Sequence, residues 1–237
     1  MTSYFLFTQC QVYTVSSTSQ HQTHRRILME IIVFGATGTV GKLAVEALLE
    51  DGHRVTAFAR RPDALSLTHT SLERVAGDAL NPTQVADGIR GKDAVVVALG
   101  SGMARKSIIR SQGTLNVIKG MQAHNVRRLI CQSTLGAHES WDNLNFFWKR
   151  IMFGALLRPV FLDHELQENL VQASGLDWTI VRPSGFTDAP ATGGYKENFP
   201  PSERNLNFKI SRKDVAAFLA RQISDTRYLR HAVAISN

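Results

Sequence analysis

Cysteine is scarce in this chain: Cys10 and Cys131 are the only two in 237 residues. They form no Cys-x-x-Cys pair and join no His/Cys cluster, which argues against a disulfide scaffold and a zinc module alike. Cys131, inside Leu129-Ile130-Cys131, reads as a small buried hydrophobe. No uninterrupted apolar run approaches the ~18 residues of a membrane-spanning helix. None of the four tyrosines (Tyr4, Tyr13, Tyr195, Tyr228) has a lysine four positions later. The device in which an ammonium lowers a phenol's pKa so that it can protonate a carbonyl is therefore missing. No carboxylate pair, Ser-His-Asp order or metal-ligand spacing stands out, and hydrolysis fits poorly. No nucleic-acid-binding motif is found either.

What is present suits a globular protein with a real core: 43% of residues are apolar and 20% charged. The formal net charge is +7, but the bases are scattered. Short pairs such as Arg60-Arg61, Arg105-Lys106, Arg127-Arg128 and Lys149-Arg150 suit the phosphates of a small ligand as well as a polymer. Residues 1–28 hold Arg25 and Arg26, no acid, and no sustained periodicity. They read as a disordered tail, an organelle-targeting segment, or sequence upstream of a start at Met29; a secretory signal fits less well. The expected division is thus an N-terminal extension, 1–28, and one domain, 29–237, in the cytoplasm unless the extension directs it elsewhere.

From Met29 the chain alternates strands and helices. Ile31–Phe34 is a continuous apolar run, the mark of a strand covered on both faces. A helix follows over Lys42–Asp51, stopped by Gly52, where a left-handed cap is favoured. Further strands are expected at Val55–Ala59, Leu72–Ala76, Asp93–Leu99, Arg128–Gln132, Trp178–Val181 and Ala232–Ile235. Helices are expected after Asn81-Pro82 and over Lys106–His124, Asp163–Ser174 and Arg212–Ile223. Repeated β-α units of this length imply an α/β fold: a single Rossmann-type, doubly wound parallel sheet with helices on both faces.

The turn after the first strand carries the strongest chemical signal: Gly35-Ala36-Thr37-Gly38-Thr39-Val40-Gly41. Gly35 permits the tight turn, Gly38 lets backbone N–H groups approach a pyrophosphate, and Gly41 lets the helix pack close to the strand. Thr37, Thr39 and Val40 complete that anion-binding turn at the helix N-terminus. At the end of strand two, where an NAD site places an acid, the sequence reads Ala59-Arg60-Arg61. Arg60, helped by Arg61, is the candidate for a 2′-phosphate, so NADP(H) is expected in preference to NAD(H). Asp78 and Ala79 follow strand three, where a side chain reaches the adenine edge. Leu99 and Gly100 end strand four, where a glycine lets the backbone run beside the cofactor.

These motifs, with Gly175-Leu176-Asp177-Trp178-Thr179-Ile180-Val181-Arg182-Pro183, resemble the atypical short-chain dehydrogenases of the NmrA-like, NAD(P)H-binding group over residues 29–236. Within it, Cys131-Gln132-Ser133-Thr134, Asp163-His164 and Thr187–Tyr195 are most similar to the biliverdin-IXβ reductase/flavin reductase type. The resemblance implies a monomeric Rossmann protein that passes hydride from NADP(H) to flavins or bilins, with Pro183 beside the cofactor. Where that family has a histidine after its paired prolines, this chain has Ser184 following Arg182-Pro183, so substrate choice is expected to differ.

Ser133, at the end of strand five, is expected to hydrogen-bond nicotinamide or substrate, against the alternative of a cap or turn residue. His164 is the candidate proton donor or anion holder, against the alternative of a surface histidine beside Asp163. Flavin reduction asks little more of the protein, because the acceptor takes hydride readily once stacked. The aromatic segment 141–161 reads as a helix packed over the sheet edge, a hydrophobic lid over a flat substrate, or an amphipathic anchor for a membrane or protein partner. The lid is the expectation, with Phe147 and Met152 facing substrate. Three functional readings follow: an NADPH-dependent reductase of a flavin, bilin, quinone or similar conjugated small molecule; a non-catalytic NADP(H) sensor that reports to a protein; and an assembly or membrane-associated factor.

Overall fold

The computed structural model describes residues 28–102 and 107–237. The expected N-terminal extension, residue 28 apart, and the expected helix start at Lys106 lie outside the described residues. The order is β1 (Glu30–Phe34), α1 (Gly41–Glu50), β2 (Arg54–Ala59), β3 (Leu72–Ala76), α2 (Pro82–Ile89), β4 (Ala94–Val97), α3 (Ile109–Ala123) and β5 (Arg128–Gln132). Then come α4 (Arg158–Gln172), β6 (Asp177–Pro183), β7 (Gly185–Thr187), β8 (Lys196–Glu197), β9 (Lys209–Ser211), α5 (Arg212–Arg221) and β10 (His231–Ser236).

Eight strands form the main sheet in the order β3-β2-β1-β4-β5-β6-β10-β8. All neighbours are parallel except β8, which pairs antiparallel with β10. The strand order reverses between β1 and β4, which makes the crevice above their C-terminal ends the natural ligand site of such a sheet.

Alternation along β1 explains its unbroken apolar run. Ile31 and Val33 enter one core with Leu48 of α1 and Phe218 of α5; Ile32 and Phe34 enter the opposite core with Ile89, Met121 and Val171. β4 divides the same way, Ala94 and Val96 against Val95 and Val97. Cys131 is fully buried in β5, where burial, followed by the Glu168 carboxylate, pushes its thiol pKa well up; it is an inert hydrophobe.

Three features depart from the sequence expectations. β7 and β9 form a separate two-stranded parallel sheet, and β8 adds an antiparallel edge. The helix expected from Asp163 starts at Arg158, because Pro159 supplies a first-turn φ already suited to a helix. The aromatic segment is not one α-helix. A 3-10 turn, His138–Asn143, leads into a π-wound helix, Phe147–Leu156. The Leu157 N–H donates to the Met152 carbonyl, five residues back, at 2.7 Å. Gly154 suits this winding, since a Cβ there would stand 2.8 Å from the Lys149 carbonyl oxygen. The segment covers a third cluster in which Phe153 stacks near Phe161 at 4.8 Å and Trp148 lies 5.5 Å from Phe153.

Candidate active site

One cleft of about 830 Å³ runs along the C-terminal ends of the strands. Its first half is built by turns. Gly35 has φ +83°, and a Cβ there would stand 2.4 Å from the Ala98 carbonyl oxygen, so only glycine lets the turn after β1 pass the end of β4. A Cβ on Gly41 would meet the Gly35 oxygen at 2.1 Å. Gly41 therefore serves helix packing; it does not line the cleft, whereas Gly35, Thr37, Gly38, Thr39 and Val40 do. A Cβ on Gly38 would stand 3.1 Å from the Gly35 oxygen, a tight contact that glycine avoids. The first turn of α1 holds no acid that would oppose an anion.

Arg60 lines the cleft beside Ala59 at the end of β2, but Arg61 is exposed outside it, where the chain turns into a 3-10 turn at Pro62. Asp78 and Ala79 line the cleft after β3. The Asp78 carboxylate accepts the Leu80 N–H at 2.9 Å, and Asn116 of α3 donates to the Ala79 carbonyl at 2.9 Å, so this turn is held rigidly. Leu99 and Gly100 form the wall beyond β4.

The second half of the cleft is different in kind. Its floor holds Ser133, Pro183 and Ser184, and its wall holds His164. The Ser133 N–H donates to the Val181 carbonyl at 2.7 Å and the Ser184 N–H to the Ile235 carbonyl at 3.1 Å, which fixes both backbones. Their hydroxyls, with Gln132 Oε1 and His164 Nδ1, are buried and have no hydrogen-bond partner among the described residues. Such groups are costly unless a ligand completes them, and all four residues line the cleft. Ser133 is thus no helix cap.

His164 is buried, not a surface residue. Burial first, and then the positive charge of Arg110, lower its pKa from 6.5 to about 3. At neutral pH it is an uncharged imidazole, so it neither pairs electrostatically with an anion nor offers an imidazolium proton. Arg110 also lines the cleft, a residue that sequence reasoning passed over. The only available signal was a cation in the apolar opening of a helix, Ser107-Ile108-Ile109-Arg110.

Over the floor stand Leu144, Trp148, Phe153, Leu157 and Val160. The segment 141–161 therefore contributes lining to the cleft, but not with the expected side chains. Phe147 is 50% exposed and faces away, and neither it nor Met152 lines the cleft. Trp148 and Phe153, five residues apart, share the inner face because the helix is π-wound.

Among the described residues no group of three His, Cys, Asp or Glu side chains is placed to hold a metal, and no helix is long and apolar enough to cross a membrane.

A family model described as NAD(P)H-binding matches residues 35–226. An uncharacterized sugar epimerase, YhfK, of Bacillus subtilis is 27% identical over 202 residues, covering 79% of this chain and 85% of its own. Among solved structures, the oxidoreductase YlbE from Lactococcus lactis superposes with a TM-score of 0.75 at 23% identity, covering 88% of this chain and 91% of that one. ChuY, an anaerobilin reductase from Escherichia coli O157:H7, superposes with a TM-score of 0.71 at 24% identity, covering 87% and 96%. These structures share the fold.

Proposed function

The chain belongs to the NAD(P)H-binding family, and from that premise we propose that it is an NADPH-dependent reductase of a flat conjugated acceptor such as a flavin, bilin or quinone. The single observation that carries this reading is the two-part cleft: a glycine-built anion turn at one end, and the Ser133 and Ser184 hydroxyls and His164 Nδ1, without partners among the described residues, beside aromatic side chains at the other.

The residues fit the dinucleotide. The turn from Gly35 to Val40 would take the pyrophosphate on backbone N–H groups, Asp78 and Ala79 would border the adenine, and Leu99 and Gly100 would run beside the ribose. Arg60 would hold the 2′-phosphate, which favours NADP(H) over NAD(H); Arg61, outside the cleft, has no direct part. Ser133 and Pro183 would position the nicotinamide, the Ser133 hydroxyl meeting its carboxamide. When bound, NADPH supplies a hydride. The protein's own work is to stack the acceptor between this floor and Trp148 and Phe153, and to hold its polar edges with Ser184 and neutral His164. Because His164 carries no proton to give as a cation, the proton that accompanies hydride comes from solvent at the open side of the cleft. The ChuY name, a bilin reductase, supports the acceptor class by analogy.

A second reading, binding of NADP(H) without turnover and report to a protein partner, is favoured by one feature: among the described residues no tyrosine or lysine lines the cleft, and the buried His164 is uncharged. Titration with NADPH and NADH, followed by addition of FMN, riboflavin, biliverdin and a quinone, separates the two. Acceptor-dependent loss of the nicotinamide absorbance supports the reductase. Tight binding with no loss for any acceptor supports the sensor.

A further inference from the structure

Arg110 sits in the first turn of α3 with only 11% of its side chain exposed, and it lines the cleft. A guanidinium has five N–H donors, and a buried one needs them used. Here the supply of partners is thin. Nη1 donates to the Ser101 hydroxyl at 3.2 Å, and it lies 3.8 Å from Asp163 Oδ2, too far for a hydrogen bond. Nε is buried with no partner among the described residues.

Asp163 is committed elsewhere. It accepts the backbone N–H groups of Arg110 and Ser111, each at 3.1 Å, and the Ser111 hydroxyl. This carboxylate from α4 thereby caps the start of α3, and it is ion-paired with the guanidinium at 3.8 Å without accepting a hydrogen bond from it. The neighbouring His164 has Nδ1 free of partners and is itself 8% exposed. The opposite half of the cleft, at β1 and β2, already provides for the cofactor phosphates through the Gly35–Val40 turn and Arg60. Arg110 stands on the other side of the strand-order reversal, after β4.

We propose that Arg110 anchors an oxyanion arm of the acceptor, a carboxylate or phosphate ester, so that the cleft selects acceptors carrying such an arm over neutral ones of the same ring. The proposal rests on the reductase reading and adds the substrate's charge to it. Arginine suits the task because its planar fork matches a two-oxygen anion.

The test is equilibrium binding to the full chain saturated with NADP⁺, read by flavin or bilin optical change. FMN is compared with riboflavin, and biliverdin with its dimethyl ester. The wild type is expected to favour FMN and biliverdin by roughly tenfold or more, the size of a charge-assisted hydrogen-bond pair. Arg110→Ala and the volume-keeping Arg110→Gln are expected to abolish that preference while NADPH affinity and thermal midpoint stay near wild type. Equal wild-type affinity for charged and neutral forms overturns the proposal and leaves the reductase reading standing. So does a variant that weakens both forms equally, or one that weakens NADPH instead. If the wild type binds none of the four acceptors, the reductase reading falls and this proposal falls with it.

Discussion

Arg182 Nη2 lies 2.6 Å from Glu168 Oε2, and both side chains are buried: 2% and 0% exposed. Glu168 stands one helical turn beyond His164 on α4, and Arg182 directly precedes Pro183, the last residue of β6, with Ser184 next in the chain. The pair therefore ties the wall of the cleft to its floor. Glu139, from the 3-10 turn before the aromatic cover, accepts from the same guanidinium at 2.6 Å, so the cover is tied to both. Glu168→Gln leaves a buried cation short of a partner and is expected to cost about 3–5 kcal/mol in chemical denaturation. Arg182→Met with Glu168→Leu is expected to recover most of that loss while acceptor affinity remains impaired, since the packing returns but the register of cover, wall and floor does not.

The three glycines of the first turn are expected to separate by role. Gly41→Ala drives a methyl into the Gly35 carbonyl and is expected to destabilise the fold by about 3 kcal/mol. Gly38→Ala meets backbone at 3.1 Å and needs only a small shift. It is expected to fold with a near-normal thermal midpoint yet lose NADPH affinity roughly tenfold, because the shift it forces displaces the backbone N–H groups that would meet the phosphate. Calorimetry of both processes distinguishes the two.

Arg60→Ala is expected to raise the NADPH dissociation constant roughly ten- to a hundredfold and leave NADH nearly unchanged, the range of a hydrogen-bonded charge pair. Arg61→Ala, outside the cleft, is expected to change neither. Fluorescence titration of the reduced nicotinamide measures all four values.

The aromatic cover gives a contrast within one helix. Trp148→Ala and Phe153→Ala remove cleft wall and are expected to raise acceptor KM while sparing NADPH binding. Phe147→Ser, on the exposed face, is expected to leave both unchanged. Steady-state kinetics with one acceptor suffices.

His164 has a folded pKa of about 3 against the ordinary 6.5. The fold thus favours the neutral ring. The stabilisation is complete above 6.5 and is lost as pH falls from there toward 3, because the unfolded chain gains a proton that the folded one refuses. His164→Gln is expected to flatten the acid limb of the thermal midpoint against pH relative to wild type. Reductase activity is expected to show no inflection from this residue between about pH 5 and about pH 8. Parallel pH series on the two proteins check both.

The sheet was legible because its central strands are apolar on both faces: the runs at Ile31–Phe34 and Val95–Val97 admit few other readings. The Gly35–Gly41 turn was legible because its steric demands fall on residues close in sequence. The cover was not. Sequence periodicity is read at 3.6 residues per turn, and a helix bonded five residues back carries Trp148 and Phe153 inward while Phe147 points out. β7, β8 and β9 span three, two and three residues, too short for alternation to register. Arg110 escaped because its place in the cleft and its few partners are visible only once α3, α4 and the end of β4 are brought together.

The central claim, that one cleft brings NADPH and a conjugated acceptor into contact, is tested most directly by a single turnover. The full chain loaded with one equivalent of NADPH, deuterated at the transferable position in a parallel run, is mixed rapidly with acceptor. Loss of nicotinamide absorbance matched by acceptor reduction, slower with deuterium, is the expected result. NADPH that binds tightly but keeps its absorbance in the presence of every acceptor would contradict the account.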